Sequence, residues 1–194
     1  MRTKSKWFAK GKSRSPEQLA TVAAMTLWRL GIQTIRSMRK ADYDIEAGPQ
    51  FFAFLGEYLV FLAHLADRFV YTHIEPEARV EFMTTLVGRL GDMLAENARD
   101  LVGADYAETK KVFVDHFNRR GEDYAHFSSD ESGPEYGFLR YCGNQLMEIL
   151  PEKDRVWVVE QVVSIEAPEA VKTLRTAFDN LFATAAPVQP AGQP

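Results

Sequence analysis

PQFFAFLGEYLVFLAHLADRFVY, residues 49–71, decides the fold. It opens on Pro49 behind Gly48, a stop followed by a fresh helix start. Seven aromatics follow, at Phe51, Phe52, Phe54, Tyr58, Phe61, Phe69 and Tyr71. The polar residues recur every seven positions, at Gln50, Glu57, His64 and Tyr71, with Asp67 and Arg68 to either side. At about 100° per residue, that is one polar stripe on an otherwise apolar cylinder. A helix apolar nearly all round is a buried one. The spacing predicts a central helix over 49–74. Its most apolar run contains Glu57 and His64 and stops at Asp67-Arg68, short of the ~20 apolar residues of a membrane span.

The neighbouring segments supply the helices that cover it. Ser15-Pro16-Glu17-Gln18 is an N-cap serine, a proline at the first helical position and a capping-box partner three residues after the cap. The helix it starts should run over 16–40, with a thin polar stripe of Gln18, Arg29, Gln33, Arg36 and Lys40. Glu75-Pro76 opens a third helix, 76–102, with Val80, Met83, Val87, Leu90, Leu94 and Leu101 toward the core and Gly103 as its stop. A fourth, 105–126, packs Tyr106, Phe113, Phe117 and Tyr124. Ser128–Pro134 reads as a loop. A fifth helix spans 135–150. Residues 155–165 are rich in β-branched side chains, yet no other segment offers a strand partner, so a short helix is expected. The last helix spans 168–184. Short connections imply antiparallel neighbours, and the expectation is an all-α, single antiparallel bundle of six to seven helices.

The 194 residues suit one domain, with 46% apolar and 26% charged side chains. Three segments are expected: a basic disordered tail over 1–14, the bundle over 15–184 and a Pro/Ala-rich disordered tail over 185–194. The tail 1–14 holds six basic residues, with Trp7 and Phe8 among them, and no acid. The remainder has 17 basic against 27 acidic residues, which disfavours a general nucleic-acid surface. Only the tail offers RNA or an anionic membrane a basic contact. Residues 19–35 follow it like the apolar part of a signal peptide, but lack a small-residue cleavage site and contain Arg29. A lone cysteine, Cys142, excludes an intrachain disulfide and fits a reducing, cytoplasmic setting.

Signatures of helical enzymes are missing from the sequence. A ferritin-like di-iron site needs two Glu-x-x-His motifs; the residues three before the histidines are Phe61, Val70, Phe113 and Asp123. Asp115-His116 reverses the His-Asp dipeptide of metal-dependent phosphohydrolases, and no Asp-Asp-x-x-Asp is present. Asp42-x-Asp44-x-Glu46 starts like a calcium loop, but Ala47 and Ala53 stand where Gly and Glu belong. No phosphate loop or Gly-x-Ser-x-Gly elbow occurs. A repressor helix-turn-helix around Gly31 and Ala47–Phe52 fails, because the turn is short and 51–66 too apolar for a major groove.

The stripe of the second helix is the surviving candidate. Glu57 and His64 lie two turns apart on one face, and Asp67 is one turn beyond. An antiparallel hairpin turning near 44–45 sets Arg29 opposite residue 60, which predicts an Arg29–Glu57 pair. The candidate ligand-binding set is Arg29, Glu57, His64, Asp67 and Tyr71. Weak metal candidates are Glu57, His64, Asp67, Asp123 and His126. No cofactor is expected. By elimination the reading leans to a non-enzymatic interaction, adaptor or chaperone-like protein with a protein partner, open to homodimer formation. The alternatives are a small-ligand- or metal-binding bundle using the stripe, and a tail-mediated binder of RNA or anionic membrane.

Overall fold

A computed structural model describes residues 14–130 and 133–183. The expected tails, apart from Arg14, lie outside the described residues. The chain is 82% helical with almost no strand, an all-α bundle. Its elements are α1 (Pro16–Lys40), α2 (Pro49–Val70), α3 (Pro76–Val102), α4 (Tyr106–Tyr124), α5 (Tyr136–Met147), α6 (Glu152–Gln161) and α7 (Ala167–Ala183).

Local chemistry sets the boundaries. The Ser15 hydroxyl accepts from the Gln18 amide while the Gln18 side chain accepts from the Ser15 amide, completing the capping box. Asp105 caps α4 by accepting from the Glu108 amide at 2.8 Å. Gly103 closes α3 in the left-handed region, at φ 68°. α2 ends at Val70, a turn earlier than the apolar pattern implied, and residues 71–74 form the turn into α3.

Two connecting segments differ from the reading of the sequence. The loop over 128–134 contains a minimal antiparallel ladder, with β1 (Ser129–Asp130) pairing β2 (Gly133–Pro134). The β-branched stretch is helical but not a separate short helix. α6 passes through a π-helical turn, Val162–Glu166, directly into α7. The bundle therefore has six rods, the last one carrying the π-turn.

α2 is the central rod. It packs against α1, α3, α4, α5 and α7, and Phe54, Leu55, Tyr58, Phe61 and Leu62 are fully buried. By length and composition it could cross a membrane, but 72% of its apolar window is buried within the bundle, as in a core helix. α1 packs more extensively on α3 than on α2. Val80 and Leu101, expected in the core on α3, are instead exposed at 68% and 72%. They lie at the two ends of that helix, beyond its main packing surface.

The α1–α2 hairpin keeps the expected register but not the expected rotation. A Cβ on Gly31 would meet Leu55 Cδ1 at 2.7 Å and Leu59 Cδ2 at 3.4 Å, so the helices run antiparallel with Gly31 opposite 55–59. Gly31 permits that approach because it has no side chain. Arg29, however, is exposed, on the outer face of α1. Glu57 is 5% exposed and turned toward α4. The Arg29–Glu57 pair does not form.

Candidate functional site

The stripe of α2 has two parts. The first is a closed seam against α4. His116 Nε2 lies 2.5 Å from Glu57 Oε2, and Arg120 reaches both carboxylate oxygens at 3.2 and 3.3 Å. His116 and Arg120 are four residues apart, so one face of α4 delivers both. Burial pushes the Glu57 carboxyl up, but the hydrogen bonds and charge of His116 and Arg120 prevail and hold it below the ordinary value. Arg120 also donates to the Tyr141 hydroxyl at 3.0 Å, and that hydroxyl donates to Asp123. Burial and the Asp123 carboxylate push Tyr141 up to about 12.

His64 stands where the seam ends. Its ring lies 4.2 Å from the Phe117 ring and nearly parallel to it. Its Nε2 is 3.1 Å from the Phe117 carbonyl, which can only accept, so Nε2 carries the proton. Burial lowers its pKa from 6.5 to about 4, against the opposing pull of that hydrogen bond. At neutral pH the ring is uncharged.

Beyond His64 the stripe opens into a cavity of about 820 Å³. The C-terminal half of α2, the turn into α3, the end of α4, β1 and α7 line it. His64, Asp67 and Tyr71, three of the five residues singled out from the sequence, line it. Asp67 is held by Arg79 of α3 through two parallel bonds of 2.7 and 2.5 Å. Arg79 also sits over the Tyr71 ring, 5.1 Å from its centre. Arg68 donates from Nη2 to the Tyr124 carbonyl at 2.6 Å and lies over the Phe138 ring. Its Nε is buried without a hydrogen-bond partner.

The remaining candidates fall elsewhere. Arg29 is exposed on α1, Glu57 belongs to the seam, and Asp123 accepts from Tyr141. His126 is exposed just past α4. Among the described residues no group of three His, Cys, Asp or Glu side chains converges as a metal requires. Glu57 is engaged by His116 and Arg120 and Asp67 by Arg79, while His64 gives its Nε2 to the Phe117 carbonyl.

Sequence reasoning passed over His116, Arg120 and Tyr141 at the seam and Arg79 and Arg175 on the cavity wall, and placed Arg68 beside the stripe without making it a candidate. One signal was available for the seam: His116 and Arg120 lie at i, i+4 beside the apolar positions Phe113, Phe117 and Tyr124. Comparison of the chain with protein-family models, curated proteins and solved structures finds no match. The function is argued from this geometry alone.

Proposed function

We propose that the protein is a small-ligand-binding helical bundle, with its ligand seated in the cavity at the C-terminal end of α2. The observation that carries the reading is the fate of the α2 stripe. Its first half is matched inside the bundle, whereas His64, Asp67 and Tyr71 face a shared space of about 820 Å³. Ligand sites span about 300–1,000 Å³ and combine an apolar wall with a few fixed polar groups. Here Phe69, Tyr71 and Tyr124 supply the rings, and His64, Asp67 and Arg68 the polar points. The reading goes with a cytoplasmic protein that keeps Cys142 reduced and buried.

The test is a fluorescence titration with two dyes of similar size, anilinonaphthalene sulfonate and its uncharged relative N-phenylnaphthylamine. At least one should bind one-to-one. Ala125→Trp should abolish that binding, because Ala125 is exposed on the cavity wall and its replacement fills the space without disturbing the core. Failure of both dyes to bind, or binding that survives Ala125→Trp, rejects the cavity as the site.

A second reading, docking of a protein partner, is favoured by α6. Val158 and Val162 face the core, yet Val156 and Trp157 on the same rod are 73% and 68% exposed. A tryptophan so exposed is a recurrent interface anchor. If the partner is a second copy, sedimentation will show a dimer that Trp157→Ser dissociates. A monomer at every concentration removes the homodimer from this reading.

A further inference from the structure

The three arginines of the cavity wall are not equivalent. Arg79 is neutralised in place by its two-bond pair with Asp67. Arg175 lies over the Phe69 ring, 5.6 Å from its centre. Arg68 also lies over a ring, 4.7 Å from the centre of Phe138, but its Nε is buried without a hydrogen-bond partner. Among the described residues its one hydrogen bond goes to the neutral Tyr124 carbonyl, and no carboxylate pairs with it. Asp67 and Glu135 act on it only through space. His64 is held neutral beside it and adds no charge to the wall. A half-buried cation without an ion-pair partner is costly unless something else supplies the anion.

We infer that the ligand is a small organic anion, one negative group on an apolar or aromatic body, and that Arg68 meets its charge. This rests on the cavity being the ligand site. One negative group is the number that fits. Asp179, exposed on α7, also lines the cavity, so a polyanion such as a nucleoside triphosphate meets repulsion there. A planar guanidinium suits a carboxylate, sulfonate or phosphate monoester, which it can grip with two parallel bonds. The rings of Phe69 and Tyr71 give the body an apolar wall.

The same two dyes separate this inference from the reading beneath it. In the wild-type protein the sulfonate should bind at least about tenfold tighter than the uncharged dye, the yield of one charge-assisted hydrogen bond. Raising the salt should weaken the sulfonate alone. Arg68→Met should cost the sulfonate about tenfold and leave the uncharged dye within about twofold. Equal affinities of the two dyes, both lost in Ala125→Trp, would keep the cavity as a site and overturn the anion. Loss of neither dye in Ala125→Trp would overturn the site itself. The wild-type comparison decides the charge preference even if Arg68→Met fails to fold. Arg68→Lys keeps the charge without the fork and should bind the sulfonate between the two.

Discussion

His64 and Phe117 are joined twice: their rings stack 4.2 Å apart at an angle of 4°, and His64 Nε2 donates to the Phe117 carbonyl at 3.1 Å. The stacking withdraws the imidazole from water, and the carbonyl fixes the proton on Nε2. A ring so placed resists protonation, which is why its pKa falls to about 4.

A pH dependence follows from that fall. Between about 4 and 6.5 the unfolded chain takes up a proton at His64 that the folded chain refuses, so stability rises with pH across this window. The contribution is complete above 6.5 and lost as the pH falls toward 4. Between pH 7 and pH 5 it amounts to roughly 1–2 kcal/mol. Glu57 acts lower: its pKa is held below 4.5, so its contribution is present above that value and disappears beneath it. In urea titrations His64→Gln, whose amide can still donate to the Phe117 carbonyl, should lose about 1–2 kcal/mol less than wild type over this range. Identical losses would mean that His64 titrates as if exposed.

The core gives a plainer expectation. Phe61 on α2 and Leu90 on α3 are fully buried, so truncation of either to Ala removes transfer energy and leaves a void. Each should cost about 2–5 kcal/mol in chemical denaturation. A loss below about 1 kcal/mol at either position would place that side chain outside the core.

α1 and α3 were legible to the residue because proline, a capping box and a left-handed glycine mark their ends chemically. The hairpin register was legible too, since connection length sets it. Rotation about the helix axis was not. Arg29 and Glu57 were matched as the lone charges of two apolar stretches, but each had other options. Arg29 could face water, and Glu57 could turn to α4, a helix with a cation pair of its own. Such a choice depends on packing among three helices, which no single stretch encodes. The cavity was half legible: periodicity found His64, Asp67 and Tyr71, whereas Arg79 and Arg175 arrive from α3 and α7 only once the rods assemble.

Two glycines separate intrinsic helix propensity from packing. Gly88 lies within α3, and a Cβ there would meet nothing within 4 Å. Gly88→Ala should therefore stabilise by about 0.5–1 kcal/mol. Gly31 stands where α1 crosses α2, and a β-branched side chain would drive into Leu55 and Leu59, both fully buried. Gly31→Val should cost about 1–3 kcal/mol through overpacking. Thermal melts of the two variants should move in opposite directions. A destabilised Gly88→Ala, or a neutral Gly31→Val, would contradict the helix spacing described above.

The seam and the cavity adjoin each other at His64 and Tyr124, and one set of variants shows whether they act separately. Glu57 is buried with Arg120 and His116 as its partners, so Glu57→Gln leaves a half-buried guanidinium facing a neutral amide. Breaking such a pair from one side costs about 3–5 kcal/mol. Replacing both charges by apolar groups of similar volume, Glu57→Leu with Arg120→Met, removes the unpaired charge and should recover most of that loss. Arg29→Met, at an exposed position outside the seam, should stay within about 0.5 kcal/mol of wild type. Neither Glu57 nor Arg120 lines the cavity, so the refolded double variant should bind the sulfonate dye within about twofold of wild type. A stable double variant that no longer binds would mean that the seam charges reach the ligand through His64 and Tyr124, and the separation of seam from site would be wrong.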